Sequence, residues 1–131
     1  MRLSELMTDI YRRLSNSEAV TELIGVGKVF SVNPTPPPAK GPYIVIGDLR
    51  SDEGRLLNDS ERVIYFTLHL WSNYKGNKEL ISIEQAAEEA ILAPPNTACL
   101  YCFDTFHVFR DIEEGWTHGV ITFRAYYDRG F

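Results

Sequence analysis

The chain has 131 residues, 44% of them hydrophobic and 24% charged, with a formal net charge of −5. A chain of this length removes roughly two-thirds of its unfolded surface from water, so one core in a single domain over 1–131 is expected. No stretch approaches the ~20 apolar residues of a membrane span. The acidic balance argues against a surface built to neutralise a phosphate backbone, so neither membrane nor sequence-specific nucleic-acid binding is expected. Met1-Arg2-Leu3-Ser4-Glu5 lacks the apolar run of a signal peptide, which keeps the protein in the cytoplasm where it is made.

Leu3, Leu6, Met7, Ile10 and Leu14 recur at helical spacing, predicting an amphipathic helix with Glu5, Asp9, Arg12 and Arg13 toward water. Ser15-Asn16-Ser17-Glu18 has the S-x-x-E spacing of a capping box, and a second short helix is expected from Ser17 to Leu23. Gly25 and Gly27 stop it, and Lys28 to Val32 reads as a short strand. Pro34, Pro36, Pro37, Pro38 and Pro42 then make an extended connector, because a segment so poor in amide donors suits neither helix nor sheet interior.

Tyr43 to Leu49 reads as a buried strand, and the polar stretch from Arg50 to Glu61 as a loop or long hairpin end. Arg62 to Trp71 is the strongest strand signal: Val63, Tyr65, Thr67, His69 and Trp71 share one face and Ile64, Phe66, Leu68 and Leu70 the other. Both faces are largely apolar, which predicts a central strand with Trp71 packed in it. Asn77 is placed to cap a helix running to about Ala93, with Leu80, Ile83, Ala87, Ala90 and Ile91 as its apolar stripe, ended by Pro94-Pro95. From Cys99 onward two or three antiparallel strands are expected, Phe106 to Ile112 and Trp116 to Asp128 among them, with Glu113-Glu114-Gly115 as the turn. Without βαβ alternation, this order predicts an α+β fold, a mainly antiparallel sheet backed by two or three helices.

Residues able to carry chemistry are few. Cys99 and Cys102 form a C-x-x-C, but no second ligand pair accompanies it, and on a strand its two thiols point to opposite faces. The expectation is packing, without metal or redox chemistry. His69, His107 and His118 fall singly on separate strands and read as sheet histidines. Gly25-Val26-Gly27-Lys28 lacks the spacing of a phosphate loop. Asp111, Glu113 and Glu114 sit at a hairpin tip, where carboxylates are ordinarily solvated. Phe30, Tyr43, Tyr65, Phe66, Trp71, Phe106, Phe109, Trp116 and Phe123 fall on strands and read as core. No catalytic, cofactor or metal site is expected, and a small hydrolase or isomerase using His69 or the carboxylates is the remote alternative.

A resemblance supplies what chemistry does not. Ser17-Glu18-Ala19-Val20-Thr21-Glu22-Leu23-Ile24-Gly25, then Val29-Phe30 and the proline run into Gly41-Pro42-Tyr43-Ile44-Val45-Ile46-Gly47, resembles the opening of the phage tail-completion family, also called tail terminator or head-to-tail joining proteins. Phe66-Thr67-Leu68-His69-Leu70-Trp71-Ser72, a turn, and Ile83 to Ala93 continue the pattern. It covers roughly residues 3 to 127 and is carried by order and spacing. The resemblance implies an α+β subunit of a long-tailed phage or prophage, without catalytic residues. It further implies a homo-oligomeric ring, typically hexameric, at the head-proximal end of the tail. That ring would cap the tail tube protein and join it to the head connector or stopper protein, after assembly in the host bacterial cytoplasm. Another small ring-forming connector or neck protein is the alternative.

Within that reading Arg50 to Glu61 is the expected interaction segment. Arg50, Asp52, Glu53, Arg55 and Asp59 surround an apolar pair, Leu56 and Leu57, and leucines in a polar loop suit a contact made on assembly.

Overall fold

A computed structural model describes residues 3–32, 34, 41–53, 61–74, 76–94, 99–113 and 115–128. The elements run α1 (Leu3–Ser15), α2 (Glu18–Ile24), β1 (Val29–Phe30), β2 (Tyr43–Glu53), β3 (Glu61–Ser72), α3 (Lys78–Leu92), β4 (Cys99–Glu113) and β5 (Trp116–Asp128). The strands form one five-stranded sheet in the order β1-β2-β3-β5-β4. Only the two-residue β1 pairs in parallel, with Ile44 and Val45 of β2; every other neighbour is antiparallel. The α+β reading is thereby borne out.

The core explains why all three helices lie on one face. Leu6, Ile10 and Leu14 of α1, Val20 and Ile24 of α2, and Leu80, Ile83, Ala86, Ala87 and Ile91 of α3 join one cluster with Ile44, Ile46, Ile64, Phe66, Leu68, Leu70, Ile121, Phe123 and Ala125. The strand members recur at every second position, so they share one side of the sheet. Gly119 of β5 lies under α3. A Cβ there would meet Phe106 Cε1 at 2.9 Å and Leu80 Cδ2 at 3.0 Å, so the glycine makes room for Leu80 against the sheet.

Three polar anchors hold the helices. Tyr101 of β4 donates its hydroxyl to Asp9 Oδ2 at 2.6 Å, and Arg13 Nε donates to the same oxygen at 2.8 Å. Burial alone would raise the Asp9 carboxyl, but the bonds from Tyr101, Arg13 and Arg12 outweigh it and hold its pKa below the usual value. Arg13 also donates to Ile91 O at 3.2 Å and to Ala93 O, satisfying carbonyls that the end of α3 leaves free. At the other end of α3, the fully buried Ser72 donates to Glu79 Oε1 at 2.6 Å and accepts from the amide of Tyr74 at 3.2 Å.

Several expectations are corrected. The capping box is not formed: Ser15 ends α1, and Ser17 caps α2 by accepting from the amide of Val20. Asn77 stands at the start of α3 but makes no side-chain capping bond, because its backbone is already helical (φ −102°, ψ −1°). The strand expected from Phe106 begins at Cys99, and β2 continues through Arg50–Glu53 instead of opening into a loop there. The long β2–β3 hairpin arises because Arg50, Ser51, Asp52 and Glu53 find partners in Tyr65, Ile64, Val63 and Arg62 after a register shift between Gly47 and Arg50. Polar side chains are no bar to a strand whose backbone bonds are supplied by a neighbour.

Candidate interaction surface

The face of the sheet away from the helices is built from the other half of the same alternation. Across its four long strands runs a row in register: Tyr43 of β2, Trp71 of β3, His118 of β5 and Phe109 of β4. Trp71 lies flat on His118, with centroids 4.0 Å apart and an interplanar angle of 4°. Tyr43 is 6.2 Å from Trp71 and Phe109 is 5.4 Å from His118, while Trp116 meets Tyr43 edge-on at 5.5 Å. Such cross-strand aromatic contacts stabilise a sheet face without a second layer over it.

A polar chain threads this row. Between Gly47 and Arg50 the β2 backbone is irregular, and Asp48 adopts a left-handed φ of 52°, a conformation that Asp tolerates better than most residues. Asp48 Oδ2 lies 2.8 Å from His69 Nε2, and His69 Nδ1 lies 2.9 Å from His118 Nε2. With ring centroids 5.1 Å apart and planes 17° from parallel, the two imidazoles meet end to end. A carboxylate on His69 Nε2 makes that nitrogen the donor, so the neutral ring accepts at Nδ1 from His118 Nε2–H. The His69 ring packs against the β2 backbone at Gly47, where a Cβ would lie 3.4 Å from its Cδ2, an ordinary contact distance.

The electrostatics follow from this order. Hydrogen bonds from His69 and Thr67 hold the Asp48 carboxyl below its usual range. Burial, and then His69 beside it, push His118 down to about 4, so its ring is neutral near pH 7. In this neutral tautomer His118 Nδ1 carries a lone pair, and this atom and Trp71 Nε1 are buried with no hydrogen-bond partner among the described residues. The arrangement fixes ring orientations and offers one donor and one acceptor.

Two of the three histidines, expected singly on separate strands, are therefore in contact. His69 and His118 sit diagonally on adjacent strands 49 residues apart in sequence, and only His107, edge-on to Phe109 at 4.4 Å, stands outside the pair. The aromatic residues divide as well: Phe66, Phe106 and Phe123 serve the core, whereas Phe30, Tyr43, Tyr65, Trp71, Phe109 and Trp116 line the outer face. Trp71, expected in the core, is half-buried on this outer face. The signal that could have found the pair was the spacing of His69 and Trp71, two apart on one strand, with a second histidine on a neighbouring strand. Cys99 is buried on the core side, and burial raises its thiol to about 12; Cys102 lies on the other face, as strand spacing requires.

Of the expected interaction residues, Arg50 lies on the outer face with its guanidinium 4.4 Å over the Tyr65 ring. Asp52 and Glu53 end β2, their backbones opposite Val63 and Arg62. Arg55, Leu56, Leu57 and Asp59 lie outside the described residues, as does Glu114, while Asp111 and Glu113 belong to the end of β4.

A family model for tail completion protein gp17 matches residues 8–128. The chain belongs to this family. Its function is tail completion, and it is a structural component of a phage tail. No curated protein matches it in sequence. The fold is shared with a chain of the virion of a native gene transfer agent particle, at TM-score 0.79 and 17% identity over 94% of each chain. It is also shared with the gp17 protein of bacteriophage SPP1, at TM-score 0.59 and 20% identity over 98% of this chain and 92% of that one.

Proposed function

We propose that the protein completes the tail as a ring of identical copies, six by the family resemblance, which caps the tail tube at its head-proximal end and joins it to the head connector or stopper protein. The observation that carries this reading is the family match over residues 8–128, nearly the whole chain. A family defined by tail completion supports a mechanical role, without catalysis or cofactor. Assembly takes place in the host bacterial cytoplasm.

The β2–β3 hairpin end is the contact segment in this reading. Arg50, Asp52 and Glu53 stand on the strand leading to it, and Arg55, Leu56, Leu57 and Asp59 follow. Leucines flanked by charges of both signs bury apolar surface on assembly while the rim charges set register.

The test is deletion of the gene from an inducible phage or prophage, complemented by the wild type or by the triple variant Arg55→Glu, Leu56→Ser, Leu57→Ser. Loss of the protein should give filled heads separate from tails of irregular or excess length under the electron microscope. The triple variant should fold as the wild type does yet fail to complement. Tails of normal length that fail only to join heads would favour a connector or neck protein. Full complementation by the triple variant removes the hairpin end from the contact.

A further inference from the structure

The sheet ends on two unlike edges. β4 is the outermost strand on one side, and among the described residues it pairs only inward, with β5. On the other side β1 covers Ile44 and Val45 of β2, and among the described residues no strand pairs with the outer side of β2 from Ile46 to Glu53. An edge strand presents alternate N–H and C=O groups to whatever lies beside it, and soluble proteins guard such edges with prolines, lysines or bulges. Here β4 contains neither proline nor lysine, and its guards are two irregularities, one at Asp104 between Phe103 and Thr105 and one between Phe109 and Glu113, which leave Thr105 to Phe109 as a regular run.

The sheet's exposed large apolar side chains, among the described residues, lie on these two edge strands. They are Leu49 on β2, 38% exposed, and Leu100 and Phe109 on β4, 54% and 37% exposed. Among the described side chains, the interior strands β3 and β5 carry none. Apolar exposure confined to two open edges is what a surface covered by further strands leaves on the free subunit.

We propose that β4 of one copy pairs with the uncovered part of β2, Ile46 to Glu53, of the next copy, so that the sheet continues from subunit to subunit. This rests on the ring reading above and names the contact that closes the ring. Strand sense supports a second copy as the occupant. β2 and β5 run one way and β3 and β4 the other, as the pairings require. Rotation about a ring axis preserves that sense, so β4 meets β2 of its neighbour antiparallel, the direction in which β2–β3, β3–β5 and β5–β4 already pair. The contact joins unlike surfaces, the type of interface that generates a closed ring when the rotation closes. The regular run of β4 from Thr105 to Phe109 is matched by the regular run of β2 from Arg50 to Glu53, beyond the irregularity between Gly47 and Arg50. Pairing there brings Leu49 of one copy to the strand that bears Phe109 of the other.

The test is cysteine cross-linking in purified particles, in a Cys102→Ser background that leaves Cys99 buried. Leu49→Cys is combined in turn with Leu100→Cys, Thr105→Cys and Phe109→Cys, with Leu49→Cys plus Tyr11→Cys, the latter exposed on α1, as the control. Mild oxidation should give a ladder of multimers from at least one β2–β4 combination and none from the control. Wild-type particles provide a second readout that needs no substitution. Amides within 46–53 and 99–113 should exchange about tenfold or more slowly in the particle than in the dilute subunit. Several copies per particle with no β2–β4 ladder and unchanged exchange would overturn the edge pairing while leaving the ring intact. A single copy per particle would overturn both.

Discussion

The two faces of the sheet are made by the same strands and differ in nearly everything else. On β3 the helix-facing set is Ile64, Phe66, Leu68 and Leu70, all fully buried, while the alternate set is Val63, Tyr65, Thr67, His69 and Trp71, mostly half-buried. The first face excludes water by packing against helices. The second shields itself by laying flat rings and imidazoles across neighbouring strands. The charge lies elsewhere again. The helices carry eight carboxylates against three cations, a difference of −5 that equals the formal charge of the whole chain. Apolar content alone therefore does not say that a strand face is a core face. An aliphatic set needs a partner layer, whereas an aromatic and histidine set can stand at a surface and serve as a contact.

The largest effect expected from breaking this contrast is at Phe66, fully buried and 5.2 Å from Phe123. Phe66→Ala should cost about 3–5 kcal/mol in urea unfolding. Trp71→Ala, on the outer face, should cost about 1–2 kcal/mol, since it loses ring stacking and partial burial without opening a closed cavity. Equal losses at the two positions would erase the distinction between the faces.

Gly119→Ala sharpens the comparison from the helix side. The added methyl meets Leu80 and Phe106, so α3 has to lift, at a cost of about 1–3 kcal/mol. Leu80→Ala in the same chain should recover part of the loss due to Gly119→Ala, measured as a non-additive double-mutant cycle. Strict additivity would show that the helix does not press on this glycine.

The pH dependence is smaller and has opposite signs on the two sides. Burial, with Glu88 hydrogen-bonded beside it, raises Glu84 of α3 from 4.5 to about 7. The folded state thus holds this proton more tightly than the unfolded chain, so its contribution is full below about pH 4.5 and is lost as pH rises through about 7. His118 runs the other way: depressed from 6.5 to about 4, its contribution is present above 6.5 and lost as pH falls toward 4. Between these limits the two slopes oppose each other. Glu84→Gln should leave the His118 slope alone, with stability rising from about pH 4.5 to 6.5 and no decline toward pH 7. A pH profile identical to the wild type would mean that Glu84 does not titrate in this range.

The smallest effect is expected at Asp48→Asn, which removes the carboxylate that selects the His69 tautomer. Unfolding should change by less than about 1 kcal/mol at this largely exposed carboxylate. The imidazole resonances of His69 and His118 should nevertheless shift together in NMR spectra, because one ring bonds to the other. A shift confined to His69 would break the chain at its middle link.

Much of this was legible from residue order. Helical periodicity located α1 and α3, since Leu6, Ile10 and Leu14, and Leu80, Ile83, Ala87 and Ile91, turned out to be the buried stripes. Alternation located β3 and both of its faces, and Gly25 ended α2 as expected, with φ of 92°. Order and spacing also carried the family, which the match over 8–128 bears out. These are local signals, written into residues a few positions apart.

What the tertiary structure alone decided is long-range. Which of two apolar faces on β3 would receive the helices depended on where Leu6, Val20 and Leu80 could reach, not on β3 itself. That Arg50–Glu53 would be strand depended on Tyr65, Ile64, Val63 and Arg62 being opposite. His69 and His118 became a pair only because β5 inserted between β3 and β4, and Trp71 became a surface residue only because every helix went to the other side. Period and composition act within a strand, whereas pairing and face selection are settled by strands and helices distant in sequence competing to bury the same area.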